Sequence, residues 1–218
     1  LKKAILSNPH MAQTILFELG NDYDPNAVWV PSTKDDVDGN GNVVGSVTGI
    51  GSRIGTANHV GYDEETAYVT FLAQYMDAYK YAENHLVKRN IDSVKVPEEV
   101  KYALTDITFQ GGQDILNEFP LMFKALSRGH YGDMSGELKF KNRTDPTAVD
   151  KHGNKTYMVE SDWWTGTGGH LWSDTVGNPG NITRVDSSGN ALLNRHGNIV
   201  SQDYTKNRAH YHFNKIKQ

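Results

Sequence analysis

The chain of 218 residues carries 22 Lys and Arg against 26 Asp and Glu, a net charge of -4, and no cysteine. That balance argues against nucleic-acid binding driven by phosphate neutralisation, and the missing thiols exclude disulfides, a thiolate nucleophile and a cysteine-held zinc. The length suits one large domain or two small lobes, and no apolar run approaches the roughly 18 residues of a membrane span.

In chain order, residues 2–19 read as helix. Ile5, Met11, Ile15, Leu16 and Leu19 fall near a 3.6 period, Pro9 breaks or restarts it, and Gly20-Asn21 stops it. Residues 27–50 read as a β-hairpin turning through Asp38-Gly39-Asn40-Gly41. Residues 63–89 read as a long helix, with Asp63 as N-cap, Glu64 and Glu65 in the first turn, and a stripe of Ala67, Phe71, Leu72, Tyr75, Tyr79 and Ala82. Pro97 with Glu98 and Glu99 opens a further helix bearing Val100, Ala103, Leu104, Ile107 and Phe109, which stops at Gly111-Gly112. Residues 113–127 are helical again with a junction at Pro120, and 133–140 form one more short helix. Residues 142–200 are rich in Gly, Asn, Asp, Ser and Thr and read as a long irregular insertion, with short hairpins at Asp150–Lys155 and Ser187–Asn190. Residues 202–216 return to helix, and no internal repeat stands out. The fold class is α+β, mainly α.

Two constellations carry chemistry. Glu18 closes the first helical region between Phe17 and Leu19. Glycosidic cleavage needs a protonated carboxyl to donate to the leaving oxygen, and apolar surroundings favour the protonated form. Taken alone, an exposed helix-end Glu is the default. In the hairpin, an Asn40-Gly41 turn pairs Asp35 with Ser46 and Thr33 with Thr48, all on one face. An Asp with hydroxyls beside it can position a water; a solvated polar face is the plainer alternative. The run from Asp36 to Asn42 also resembles half a calcium loop, but Val47 stands where the bidentate Glu belongs.

In their order, several segments resemble the phage-type lysozymes of glycoside hydrolase family 24, the T-even phage lysozyme group. They are Phe17-Glu18-Leu19-Gly20, the hairpin running into Val47-Thr48-Gly49-Ile50-Gly51, Gly61 to Ala67, Ala103-Leu104 with Phe109-Gln110-Gly111-Gly112, and Asn207-Arg208-Ala209. The match covers residues 10–140 and 202–214 loosely. It departs in a longer hairpin, in a Gly-x-Gly register slipped by one, in Ser52 where the family has His, and in the 142–200 insertion. The resemblance implies a single lysozyme-like domain over 1–218, with a helix-and-hairpin lobe at 1–60 and a helical lobe at 61–218. It implies Glu18 as general acid, Asp35 with Thr48 (or Ser46) positioning the water of an inverting displacement, and Arg208 pairing with Glu18. Gln110 would contact the sugar or cap the central helix.

Trp163 and Trp164, with Trp172, would stack on sugar faces or form a small core under the insertion. Among nine histidines no HExxH occurs, His210 and His212 cannot share a helix face, and His170 lacks visible co-ligands, so neither metal nor cofactor is expected. The expected function is a monomeric peptidoglycan muramidase of endolysin or antibacterial-toxin type, acting on the cell wall. The start at Leu1 and the lack of a signal-peptide core fit a piece of a larger delivered protein. Its partner is the peptidoglycan glycan strand, with an immunity protein if it is a toxin and no nucleic acid. The alternatives are an amidase or chitinase, or a non-catalytic glycan-binding module.

Overall fold

The computed structural model describes residues 1–20, 22–37, 43–54, 60–138, 140–142, 158–161, 163–164, 172–174, 181–186, 190–198, 201–203 and 206–217. Within them the chain is mainly helical, with small antiparallel sheets. It forms two compact units, Leu1–Lys80 and Tyr81–Gln218. No helix among the described residues is long and apolar enough to cross a membrane.

The first unit opens with two helices where one run was expected, α1 (Lys2–Leu6) and α2 (Pro9–Leu19). Pro9 cannot continue a helix but suits a first turn. Asn8 Oδ1 accepts from the N–H groups of His10 and Met11, both at 3.0 Å, and so starts the second helix. β1 (Thr33–Val37) and β2 (Val43–Thr48) make the expected hairpin; β3 (Ser52–Ile54), unforeseen, pairs with the other edge of β2. Three residues are too few for alternation to announce a strand. Thr33 faces Thr48 and Asp35 faces Ser46, as the sequence implied, but a bulge between Asp36 and Val37 brings Val37 opposite Val43. That pairing departs from the one a two-residue Asn40-Gly41 turn demands.

α3 (Glu64–Lys88) begins at Asp63, whose Oδ1 accepts from the Thr66 N–H at 2.7 Å. This capping bond holds the Asp63 carboxyl below the usual carboxylate range. The front half of α3 buries Ala67, Tyr68, Phe71 and Tyr75, and Ile5, Ile15 and Ile50 are buried in the same unit. Tyr68 shares a hydroxyl–hydroxyl bond with Tyr23, and burial together with that bond pushes its phenol up. Lys2 reaches Glu64 at 2.6 Å and ties α1 to the start of α3. With this half of α3 in the first unit, the boundary falls at residues 80/81 rather than at 60/61.

The second unit is built round α4 (Glu98–Gly111), in which Val100 and every residue from Tyr102 to Thr108 are buried. A helix buried on nearly all sides belongs in a core, and the Thr105 and Thr108 hydroxyls donate to the Lys101 and Leu104 carbonyls, both at 2.8 Å. The cluster joins Ala103, Leu104 and Ile107 to Leu116 and Phe119, to Met122, Phe123 and Leu126 of α5 (Pro120–Leu126), and to Met134 of α6 (Tyr131–Glu137). Each fully buried Leu, Ile, Phe or Met contributes about 1.5–3 kcal/mol. The last helix, α7 (Arg208–Lys217), packs on α4 and α6.

The segment between α6 and α7 is more regular than expected. β4 (Phe140–Asn142) pairs with β5 (Met158–Glu160), while β6 (Trp172–Asp174), β7 (Asn181–Arg184) and β8 (Ser201–Asp203) form a three-stranded sheet. A strand at residues 201–203 therefore overlaps the start of the helix expected over 202–216, and the helix waits until Arg208. A repeat also escaped the sequence reading. Asp or Asn, two residues, then Gly-Asn recurs at 36–40 and 38–42 (overlapping), 150–154, 174–178, 186–190 and 194–198. In the last two copies the first residue's N–H donates to the fifth residue's carbonyl, at 2.9 and 2.8 Å. The first residue's Oδ1 accepts the fifth N–H, at 2.9 and 3.1 Å. The irregular spacing of the earlier copies hid the pattern.

Candidate active site

Glu18 is the last residue but one of α2 and is half-buried. Its carboxyl lies on the backbone of Gly51, in the short link between β2 and β3. A Cβ placed on Gly51 would stand 2.4 Å from Glu18 Oε2 and 2.8 Å from its Cδ, and Gly51 has φ +72°. Only a residue without a side chain leaves room for the acid while taking that backbone conformation without strain. The end of α2 is thereby seated against the sheet that carries the remaining hairpin candidates.

Those candidates divide by exposure. Asp35 is exposed on β1, and its cross-strand neighbour Ser46 is half-buried on β2. Thr33 is exposed, but Thr48 is 2 % exposed and its hydroxyl is committed. Thr48 Oγ1 donates to the Ser32 carbonyl at 2.9 Å and accepts from the Tyr62 N–H at 3.0 Å. It joins three stretches of backbone, so Ser46 is the hydroxyl better placed to meet a water. Ser52, where the resembling family has His, is buried and donates to Gln74 Oε1 on α3 at 3.1 Å.

In the second unit the expectations change more. Trp163 and Trp164 are buried in the core, their rings near His212 (6.1 Å) and His210 (5.1 Å) respectively. Rings so enclosed cannot stack on a glycan, and the sugar-platform expectation is corrected for both. Gln110 is exposed on the last turn of α4, and the cap there is the Gly112 N–H bonded to the Thr108 carbonyl at 2.8 Å. Arg208, expected to pair with Glu18, makes its ion pair within its own unit: Nε stands 2.9 Å from Asp106 Oδ2. His212 Nε2 donates to the same oxygen at 2.8 Å. Asp106 drew no notice in the sequence, although a lone acid inside the stripe of Ala103, Leu104 and Ile107 was the available signal, and His212 was weighed there only as a metal ligand. Of the calcium-like run at 36–42, residues 38–42 lie outside the described residues, as do the hairpin at 150–155, His170 and the Trp172 side chain.

Chemically, the first unit offers one half-buried carboxyl held at a glycine wall, and one exposed carboxyl beside a hydroxyl on a neighbouring strand. Such a set can donate a proton from one side and order a water on another. In comparison with known proteins, no family model, no curated protein and no solved structure matches this chain.

Proposed function

We propose that the chain is a peptidoglycan muramidase, cleaving the β-1,4 bond between N-acetylmuramic acid and N-acetylglucosamine. The observation that carries this is the seating of the Glu18 carboxyl on Gly51, which fixes an acid at a helix end against a polar sheet. Glu18 donates its proton to the bridging oxygen as the C–O bond breaks. Asp35, with the Ser46 hydroxyl, orders a water and takes its proton as it attacks the anomeric carbon from the opposite face. The product anomer is inverted. The resemblance of the segment order to that of the phage-type lysozymes supports the same assignment. A bacteriolytic role on the cell wall follows from that substrate.

Digestion of purified peptidoglycan with mass analysis of the fragments tests the bond. New reducing sugar ends are expected, whereas new amino termini would identify an amidase. Glu18→Gln is nearly isosteric and is expected to lower the rate at least about a hundredfold, the usual worth of a positioned general acid. Undiminished lysis by Glu18→Gln would overturn the mechanism.

A further inference from the structure

α5 and α6 pack together, and a cleft of about 520 Å³ opens along them and the turn between them. That size suits a small ligand. From α5 and its end come Lys124 and Arg128, and from α6 come Asp133 and Glu137. Each pair is spaced four residues apart, and like charges at that spacing repel. Yet the two pairs do not neutralise each other across the cleft. Among the described residues neither Lys124 nor Arg128 reaches an acid, and Asp133 turns to His130, 3.5 Å away. Glu137 is half-buried, and burial together with the like charge of Asp133 pushes its carboxyl up. The carboxylate thus lacks a cation to offset its burial, and the cations of the opposite side lack an anion.

The side formed by α6 is also stripped of side chains. Gly132 and Gly136 lie one turn apart in this helix of seven residues, where glycine weakens the helix. Neither has a positive φ, and nothing stands within 4 Å of a Cβ built on either. Among the described residues, then, neither backbone shape nor packing requires glycine at these positions. What bare backbone supplies beside a cleft is room for close approach from outside. Leu121 and Ala125 add apolar lining on the α5 side.

We infer that the α5–α6 cleft binds a small zwitterion of the amino-acid class, its carboxylate on Lys124 and Arg128 and its ammonium on Glu137. The inference lies wholly within the second unit and does not depend on the muramidase reading. An ion of one sign would satisfy one side and leave the other uncompensated, whereas a zwitterion supplies both missing charges at once. The Arg128 fork suits a carboxylate, and the ammonium offsets the burial of Glu137.

Titration calorimetry of the full chain compares L-leucine with isocaproate, which lacks its ammonium, and isoamylamine, which lacks its carboxylate. Leucine is expected to bind at least about tenfold tighter than either, because each charged contact adds to the other. Glu137→Gln removes most of that advantage and leaves isocaproate unchanged. Lys124→Ala with Arg128→Ala weakens leucine and isocaproate alike, at least about tenfold. Gly136→Leu fills the cleft and abolishes leucine binding without lowering the melting temperature, since leucine is the better helix former. Equal affinities for leucine and isocaproate, leucine binding that survives Gly136→Leu, or no heat with leucine at about 10 mM would each overturn the inference.

Discussion

A methyl group at position 51 would occupy the space of the Glu18 carboxyl, 2.4 Å from Oε2, on a backbone with φ +72°. Gly51→Ala therefore carries two penalties, a conformational one of about 1 kcal/mol or more and a displacement of the acid. Gly20 separates them: it has φ +97°, but nothing lies within 4 Å of a Cβ built there. Gly20→Ala is expected to lose stability and keep activity, whereas Gly51→Ala loses at least about tenfold in reducing-end release beyond its loss in melting temperature. Equal activity in the two variants would show that Glu18 does not depend on its glycine wall. Glu18 was legible in the sequence because a carboxyl at a helix stop followed by a glycine-rich hairpin is a local pattern. Asp106 was not, because its partners lie about a hundred residues away, and no local period shows which apolar-stripe positions face an arginine.

Within the hairpin, two hydroxyls of similar sequence standing have different structural duties. Thr48→Val keeps the shape but leaves the Ser32 carbonyl and the Tyr62 N–H without their buried partner, a cost of about 1–3 kcal/mol. Ser46→Ala removes a half-buried hydroxyl for which no such bracing is seen among the described residues, so little stability is expected to be lost. Urea unfolding and lysis assays should therefore divide the pair: Thr48→Val less stable and still active when folded, Ser46→Ala stable and slower. The reverse outcome would return the water to Thr48. The register around Asp35 and Ser46 could be read from the sequence because side-chain alternation and turn chemistry agree there. β3 could not, since three residues hold no period. The strand at 201–203 was partly read as helix because the polar residues ahead of Arg208 lack a period of their own.

At the scale of the whole chain, the second unit carries a titratable knot near the end of α3. His85 Nδ1 accepts from Arg89 Nη1 at 2.9 Å and Nε2 donates to the Gln113 carbonyl at 3.2 Å, while the Arg89 guanidinium lies 4.0 Å from the Phe123 ring. Burial pushes His85 down; the Gln113 carbonyl and Asp114 oppose the fall, and Arg89 and Lys88 add to it. The unfolded chain titrates His near pH 6.5. Between that pH and the lower folded value the unfolded chain binds more protons, so stability is full above about pH 6.5 and declines as the pH drops. Thermal unfolding between about pH 7.5 and pH 5.5 should show a steeper loss in the wild type than in His85→Gln; parallel curves would remove His85 from the acid response. The helical frame of this unit was readable from its apolar stripes. The sheets between α6 and α7 were not, because short strands rich in turn-forming residues pair at separations that no local pattern records. The two described copies of the Asp/Asn-x-x-Gly-Asn turn stand eight residues apart, at 186–190 and 194–198, and each closes on its own side chain. Each is therefore a self-contained module. The chain is thereby fastened at two successive points, and loosening one turn leaves the other closed.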